Sequence, residues 1–97
     1  MKTNKEYVLR EIAGEPLLIP TGMASQKLNG MIRLTETAAY IWKQVDTASD
    51  LEEIVEKILQ EFEVAEETAR RDVYGFLREL YVRDIVREIP EFTERLV

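Results

Sequence analysis

Short apolar and alternating runs in the first third of the chain predict three β-strands. The first two lie at Tyr7–Ile12 and at 16–20, separated by residues that include Gly14, which suits a hairpin turn with a positive φ. Small and polar residues at 21–27 predict a loop, and residues 30–34 alternate as a third strand. Because this strand comes last and leads directly into a helix, we expect it at the edge of a small antiparallel sheet, where its N–H and C=O groups are unpaired.

The rest of the chain repeats apolar residues at helical spacing and predicts three helices. Helix one begins after Thr35, a suitable N-cap residue. Helix two begins at Ser49, which forms a capping-box pattern with Glu52 three residues later. Helix three begins near Ala65, a poor N-cap, and ends near residues 83 and 84. The three helices should pack on one face of the sheet.

The order of three strands and then three helices predicts an α+β domain, similar in its parts to a winged helix-turn-helix. We expect one domain over residues 1–97, with an ordered core at about 6–89. Residues 85–90 predict a short extended piece, and residues 90–97 predict a loosely held tail.

Composition excludes several classes of site. The 97 residues are 45 % hydrophobic and 33 % charged, which is typical of a globular domain. Cysteine and histidine are absent, which excludes disulfides, thiolate chemistry and histidine bases and argues against zinc. No other nucleophile stands beside a recognisable base or phosphate-binding loop, so we expect neither catalysis nor a cofactor or metal. Without a signal peptide or an apolar span, we expect a cytoplasmic protein that does not bind membranes.

The distribution of charge argues against nucleic acid as a partner. The net charge is −6, and eight carboxylates between Asp50 and Glu67 accompany only Lys57. Helices two and three could form a helix-turn-helix, but Glu66 and Glu67 would then approach the DNA first. Because phosphates would meet carboxylates, a DNA-binding regulator is the alternative hypothesis and not the leading one.

One side of predicted helix three combines residue types that are enriched at protein interfaces. Arg70, Tyr74, Arg78 and Tyr81 recur at spacings of three or four, and we call them the Arg/Tyr strip. Two interpretations are open: the strip contacts another protein, or its tyrosines border the core and its arginines pair with nearby acids. Trp42, by contrast, falls on the apolar stripe of helix one and is expected in the core.

Three segments in this order resemble the PqqD family, also called RiPP recognition elements. They are YVLREIAGEPLLIP, LNGMIRLTETAAYIW and LEEIVEKILQEFEVAEETARRDVYGFLREL, and the resemblance spans about residues 7–89. The chain differs from the common family pattern at Thr35, Ala38 and Ala65 and near residue 83, which affects the helix ends.

The resemblance implies a winged-helix-like peptide chaperone of natural product biosynthesis. Such proteins bind the leader region of a ribosomally made precursor peptide and present it to a modifying enzyme, frequently a radical SAM maturase, and are not enzymes themselves. The leader would add as a strand beside strand three, facing helix three. The implied peptide-binding residues are Met31, Ile32, Arg33, Leu34, Arg70, Arg71, Tyr74, Leu77, Arg78 and Tyr81.

Two further expectations follow from this hypothesis. Tyr74→Ala or Arg78→Glu should weaken leader binding without unfolding the domain. The open edge of strand three also allows homodimerisation, so we expect a monomer or a weak homodimer.

Overall fold

The computed structural model describes residues 1–26 and 30–93 and contains two small antiparallel sheets and three α-helices. Strands β2 (Tyr7–Ile12), β3 (Glu15–Pro20) and β4 (Ile32–Arg33) form a sheet in that order, so β4 lies at its edge as expected. Helices α1 (Glu36–Gln44), α2 (Leu51–Glu61) and α3 (Glu66–Val82) follow. The predicted α+β class, with a three-stranded sheet and three helices, is confirmed.

A two-residue turn joins β2 to β3. Ile12 pairs with Glu15, and the two residues between them, Ala13 and Gly14, have φ angles of 53° and 80°. Positive φ at both central residues is typical of a type I′ hairpin turn. The turn is therefore one residue shorter than predicted, because β3 already begins at Glu15.

One short strand, β1, and a 3-10 helix were not predicted. Strand β1 (Lys2–Thr3) pairs with β5 (Val86–Arg87), which is the extended piece expected near residue 85. Both Thr3 and Lys5 donate hydrogen bonds to the Asp46 carboxylate beyond the end of α1. Burial acts to raise the pKa of Asp46, but these hydrogen bonds outweigh it and lower the pKa. Residues 22–26, expected in a loop, form the 3-10 helix, while residue 27 lies outside the described residues.

The structure confirms the predicted N-terminal capping for two of the three helices. The Thr35 hydroxyl accepts a hydrogen bond from the Ala38 N–H at 3.0 Å, so the predicted N-cap of α1 is confirmed. Ala65 makes no capping bond at α3, as expected. The predicted Ser49 cap of α2 is wrong by one residue, because Asp50 accepts the N–H of Glu53 at 2.9 Å. An aspartate carboxylate fills the capping position that was assigned to the serine hydroxyl.

A single apolar core joins the sheet to the helices. Leu18 of β3 contributes to it, and Trp42 is 8 % exposed, so its predicted core position is confirmed. All three helices direct an apolar stripe into this core, which fixes their rotation about their axes. The fully buried large side chains are Leu18, Ile41, Val45, Leu51, Ile54, Val55, Ile58, Val73, Leu77, Ile85, Val86 and Ile89.

The end of the described chain is packed against the helices. Residues Pro90–Phe92 form a second 3-10 helix, although a loose tail was predicted from residue 90. The Glu91 carboxylate accepts a hydrogen bond from the Leu51 N–H at the start of α2, at 3.0 Å. The Phe92 ring contacts α3, as described below. The rest of the predicted tail, residues 94–97, lies outside the described residues.

Candidate functional site

The free edge of β4 exposes the main chain of alternate residues. The Leu34 N–H donates to the Pro16 carbonyl of β3 at 3.0 Å. In an antiparallel ladder the residues that bond to one neighbour alternate with residues that face the other way. Since Leu18 pairs with Ile32 in the same register, the N–H and C=O of Arg33 point away from β3. The unpaired edge therefore centres on the main chain of Arg33, with Met31 next in the same phase.

A groove lies between this edge and helix α3. Its volume is about 540 Å³, and its wall on one side is β4 with the start of α1. The other wall is one side of α3, and the surface between them is mainly apolar. The lining residues are Ile32, Arg33, Leu34, Thr35, Thr37, Ala38, Ile41, Arg71, Asp72, Gly75, Phe76, Glu79, Leu80 and Arg83.

Charged side chains of both signs stand along the α3 wall of the groove. Arg71 and Arg83 lie 12 residues apart, which is about 18 Å along a helix. Asp72 and Glu79 lie between them in sequence. Among the residues that the structure describes, none of these four makes an ion pair or side-chain hydrogen bond. Their charges are therefore available to an incoming ligand.

Arg33 presents its main chain and its side chain to different partners. Its Nε lies 3.0 Å from the Glu15 Oε1 on β3, in an exposed ion pair. Neighbouring Ile32 and Leu34 direct their side chains to the opposite face, where Leu34 is buried. A change of the Arg33 side chain therefore leaves the edge hydrogen-bonding groups in place.

Gly75 occupies the middle of the groove wall on α3. An exposed glycine inside a helix lowers helix stability by about 0.5–1 kcal/mol relative to alanine. Its φ is not positive, so the backbone does not require glycine here. A Cβ built on it meets nothing within 4 Å, so packing in the free protein does not require glycine either.

The Arg/Tyr strip lies on the other side of α3 and does not line the groove. Arg70 forms ion pairs with Glu52 of α2 and with Glu66, and the Tyr74 hydroxyl donates to Glu52 at 2.7 Å. The structure therefore directs Arg70 and Tyr74 to α2, whereas the sequence predicts that the strip faces β4, and a role of the strip in leader binding stays a prediction. The rotation of α3 is set by its apolar stripe, which turns the strip towards α2.

The described end of the chain covers the remainder of this strip. The Phe92 ring lies 5.5 Å from the Tyr81 ring and 6.4 Å from the Tyr74 ring, between centroids. The Arg78 guanidinium lies 5.7 Å from the centre of the Phe92 ring. Leu77, also predicted to face the leader, is fully buried in the core. These side chains already have partners within the chain.

Burial raises the pKa of Tyr74 to about 12, and its hydrogen bond to Glu52 adds to the shift. Both effects favour the protonated phenol, because the low dielectric and the nearby carboxylate oppose a phenolate charge. The hydroxyl therefore acts as a permanent hydrogen-bond donor at neutral pH. Its role on this side of α3 is to join α3 to α2.

Half of the predicted peptide-binding residues lie in or beside the groove, and the other half lie elsewhere on the protein. Ile32, Arg33, Leu34 and Arg71 line the groove, with exposed Met31 preceding β4. Sequence reasoning missed the other lining residues of α1 and α3. One sequence pattern could have identified the side of α3 that lines the groove. Positions 72, 76, 79 and 83 form a row along the helix, and this row borders the apolar stripe on the side opposite the Arg/Tyr strip.

Residues 1–26 and 30–93 contain neither a metal-binding cluster nor a membrane-spanning helix. No group of three or more acidic side chains there is placed to hold a metal ion. No helix in the same ranges is long and apolar enough to cross a membrane.

A match to a family sequence model shows which protein family the chain belongs to. The sequence model described as "PqqD: Coenzyme PQQ synthesis protein D (PqqD)" matches residues 6–86. The chain belongs to the PqqD family. A comparison of this PqqD family member with curated proteins finds no match.

Two solved structures resemble the PqqD family member described here. The structure titled "TbiB1 in Complex with the TbiA(beta) Leader Peptide" has a TM-score of 0.69 and 26 % sequence identity, with coverage of 90 % of this chain and 95 % of that chain. "Lasso peptide synthetase B1 complexed with the leader peptide" has the same TM-score at 18 % identity, covering 90 % and 96 %. The second likeness concerns the fold, whereas the first extends to the sequence.

Proposed function

We propose that this PqqD family protein binds the leader region of a ribosomally synthesised precursor peptide at β4 and presents it to a modifying enzyme. The observation that carries the proposal is the unpaired main chain of Arg33, which borders a groove with an apolar floor. An extended peptide adds to such an edge through main-chain hydrogen bonds and places alternate side chains in the groove. Membership of the PqqD family and the leader peptides bound in both similar structures support this ligand class.

The groove provides separate sources of affinity and selectivity. The N–H and C=O of Arg33 supply hydrogen bonds that any extended peptide satisfies. Side chains directed inwards from alternate leader positions would contact Ile32, Ile41 and Phe76, which requires apolar residues there. A leader carboxylate would form a charge-assisted pair with Arg71 or Arg83.

The protein acts in this scheme by binding and not by catalysis. Its partner enzyme is a RiPP-modifying enzyme, with a radical SAM maturase as the expected type, and the compartment is the cytoplasm. A bound leader occupies the edge of β4, so this edge is not available to a second copy of the chain. The protein therefore functions as a monomer or a weak homodimer. We propose no role for a cofactor or a metal.

DNA binding is the disfavoured alternative. The first turn of α3 carries Glu66 and Glu67, which a helix-turn-helix would direct at the DNA. The groove beside β4 contains Arg71 and Arg83, which have no ion-pair partner among the described residues, but its α3 wall also carries Asp72 and Glu79. Retention of duplex DNA that falls steeply with salt would support the alternative.

The first experiment titrates the protein with precursor peptides encoded beside its gene, by calorimetry and by NMR. We expect saturable binding, with the largest amide shifts at residues 31–34 and along the groove wall of α3. Arg33→Pro removes the edge N–H while leaving the bonds of β4 to β3 intact, since proline is tolerated on edge strands. Its affinity should fall by about 10-fold or more.

Arg33→Ala is the matched control for this experiment. It removes the exposed ion pair with Glu15 but keeps the N–H, so its affinity should change by less than about fivefold. Equal affinities of wild type, Arg33→Pro and Arg33→Ala would place the peptide elsewhere on the protein. A wild-type protein that binds none of the neighbouring precursor peptides would refute the proposed function.

A further inference from the structure

The groove wall contains one position whose residue type the free protein does not explain. Gly75 lies near the centre of α3, where glycine lowers helix stability relative to alanine. It is exposed, lacks a positive φ, and has no neighbour within 4 Å of a Cβ placed on it. Neither backbone conformation nor internal packing therefore accounts for the missing side chain.

Gly75 lines the groove between two long charged side chains. Arg71 and Glu79 lie one helical turn before and after it on the same face and line the groove with it. Between these two long side chains, the glycine leaves a notch in the wall where a ligand can reach the helix backbone. Close approach of a ligand to the backbone is one of the recurrent reasons for glycine in a structured element.

We propose that Gly75 determines the specificity of the groove by receiving one large apolar side chain of the bound peptide against the backbone of α3. The inference rests on the proposed function, and it assigns the leader a bulky apolar residue at the position opposite the notch. Phe76, the next residue on α3, lines the groove beside Gly75 and would contact one side of that residue, and Leu80, five residues further along, lines the same groove. Arg71 and Glu79 lie on either side of the notch along α3. Because both side chains are charged, the notch has room for only one apolar side chain of the leader.

The proposal predicts opposite changes in stability and in affinity for the same substitution. Gly75→Ala should raise the thermal unfolding midpoint by about 2–8 °C, because alanine is the better helix former. The added methyl group should at the same time weaken binding of the neighbouring-gene leader peptide by about 10-fold, and Gly75→Leu by about 100-fold or more. At a position with a purely structural role, the same substitution would raise the unfolding midpoint and leave the affinity unchanged.

Gln60→Leu provides the control for the leucine substitution. Gln60 is an exposed helical residue of α2 that does not line the groove, so this variant should bind the leader as the wild type does. Thermal unfolding and fluorescence titration with a labelled synthetic leader measure both quantities for all four proteins.

A scan of the leader then identifies the residue that enters the notch. Each leader position is replaced by alanine and titrated against wild type and Gly75→Leu. One bulky apolar position should matter strongly for wild type and little for the variant, which is the coupling expected of two side chains in contact. Equal affinities of wild type and Gly75→Ala, or the absence of a coupled position, would overturn the assignment of Gly75 while leaving the proposed function standing. A wild type that binds no leader would overturn both.

Discussion

The two sides of helix α3 carry similar residue types and differ in what surrounds them. On the α2 side, Arg70 and Tyr74 share the Glu52 carboxylate, and Phe92 covers the remainder of the Arg/Tyr strip. On the groove side, Arg71 and Arg83 have no partner among the described residues. Both sides contain arginine and aromatic residues, so residue type alone does not identify the binding surface. The two sides differ in whether these side chains already have partners within the described part of the chain.

This difference separates two functions within one helix. The strip side holds α3 to α2 and to the chain segment after β5, which makes it part of the fold. Within the described residues, the groove side of α3 keeps its charges unpaired and its central residue small, which makes it suited to a ligand. Substitutions on the two sides should therefore affect different measurable quantities.

Reversal of arginine charges on the two sides of α3 should give the largest difference in leader affinity. Arg71→Glu combined with Arg83→Glu should weaken leader binding by about 100-fold, because two charge-assisted contacts are lost and repulsion replaces them. The matched pair Arg70→Glu with Arg78→Glu reverses the same number of charges on the strip side. Calorimetric titration should show nearly wild-type affinity for this second pair. The reverse result would restore the originally expected site, in which Arg78→Glu and Tyr74→Ala weaken binding.

Removal of the Phe92 ring should affect stability and not binding. Phe92→Ala deletes a half-buried ring that contacts Tyr74, Tyr81 and Arg78. We expect a loss of about 1–3 kcal/mol in the free energy of unfolding, measured by urea denaturation. Leader affinity at a temperature well below the unfolding midpoint should stay the same. A loss of affinity without a loss of stability would show that the strip belongs to the binding surface.

The phenol of Tyr74 provides a smaller test, through pH. The pKa of Tyr74 is raised from 10.0 to about 12 in the fold. Between these values the unfolded chain releases the proton while the folded protein keeps it, so rising pH favours unfolding. The stabilisation is complete below pH 10 and is lost as the pH rises towards 12. Tyr74→Phe should remove this part of the pH dependence and lower stability at neutral pH by about 1 kcal/mol.

Denaturation of wild type and Tyr74→Phe at pH 7, 10, 11 and 12 measures this effect. Parallel stability curves for the two proteins across that range would contradict the assignment of the raised pKa to Tyr74. Leader affinity at neutral pH should be unchanged in the variant, since the hydroxyl faces Glu52 and not the groove.

Long periodic segments made most of the fold predictable. The apolar stripe of α2 and the N-cap at Thr35 are local features, and both were recognised from the sequence. The strands β1 and β5 were not paired in advance, because two-residue strands show no periodicity. Their position depends on Asp46, which contacts Thr3 more than 40 residues away.

The side of α3 that lines the groove was not recognised from the sequence, for a tertiary reason. Positions on both flanks of an apolar stripe border the core equally well, so the sequence of the helix does not decide which flank faces β4. That choice depends on how α2 and the segment around Phe92 pack, which involves contacts distant in sequence. The edge of β4 itself was predictable, because its place follows from the order of the elements.

The brevity of β4 also bears on how the protein behaves at high concentration. A long, flat and apolar edge strand pairs with other copies and leads to aggregation. Here the regular edge is two residues long, and one of them is the charged Arg33, paired with Glu15. Such an edge supplies few main-chain bonds by itself, so stable attachment also requires side chains that fit the groove. A short and charged edge of this kind is therefore a poor template for pairing with another copy of the chain.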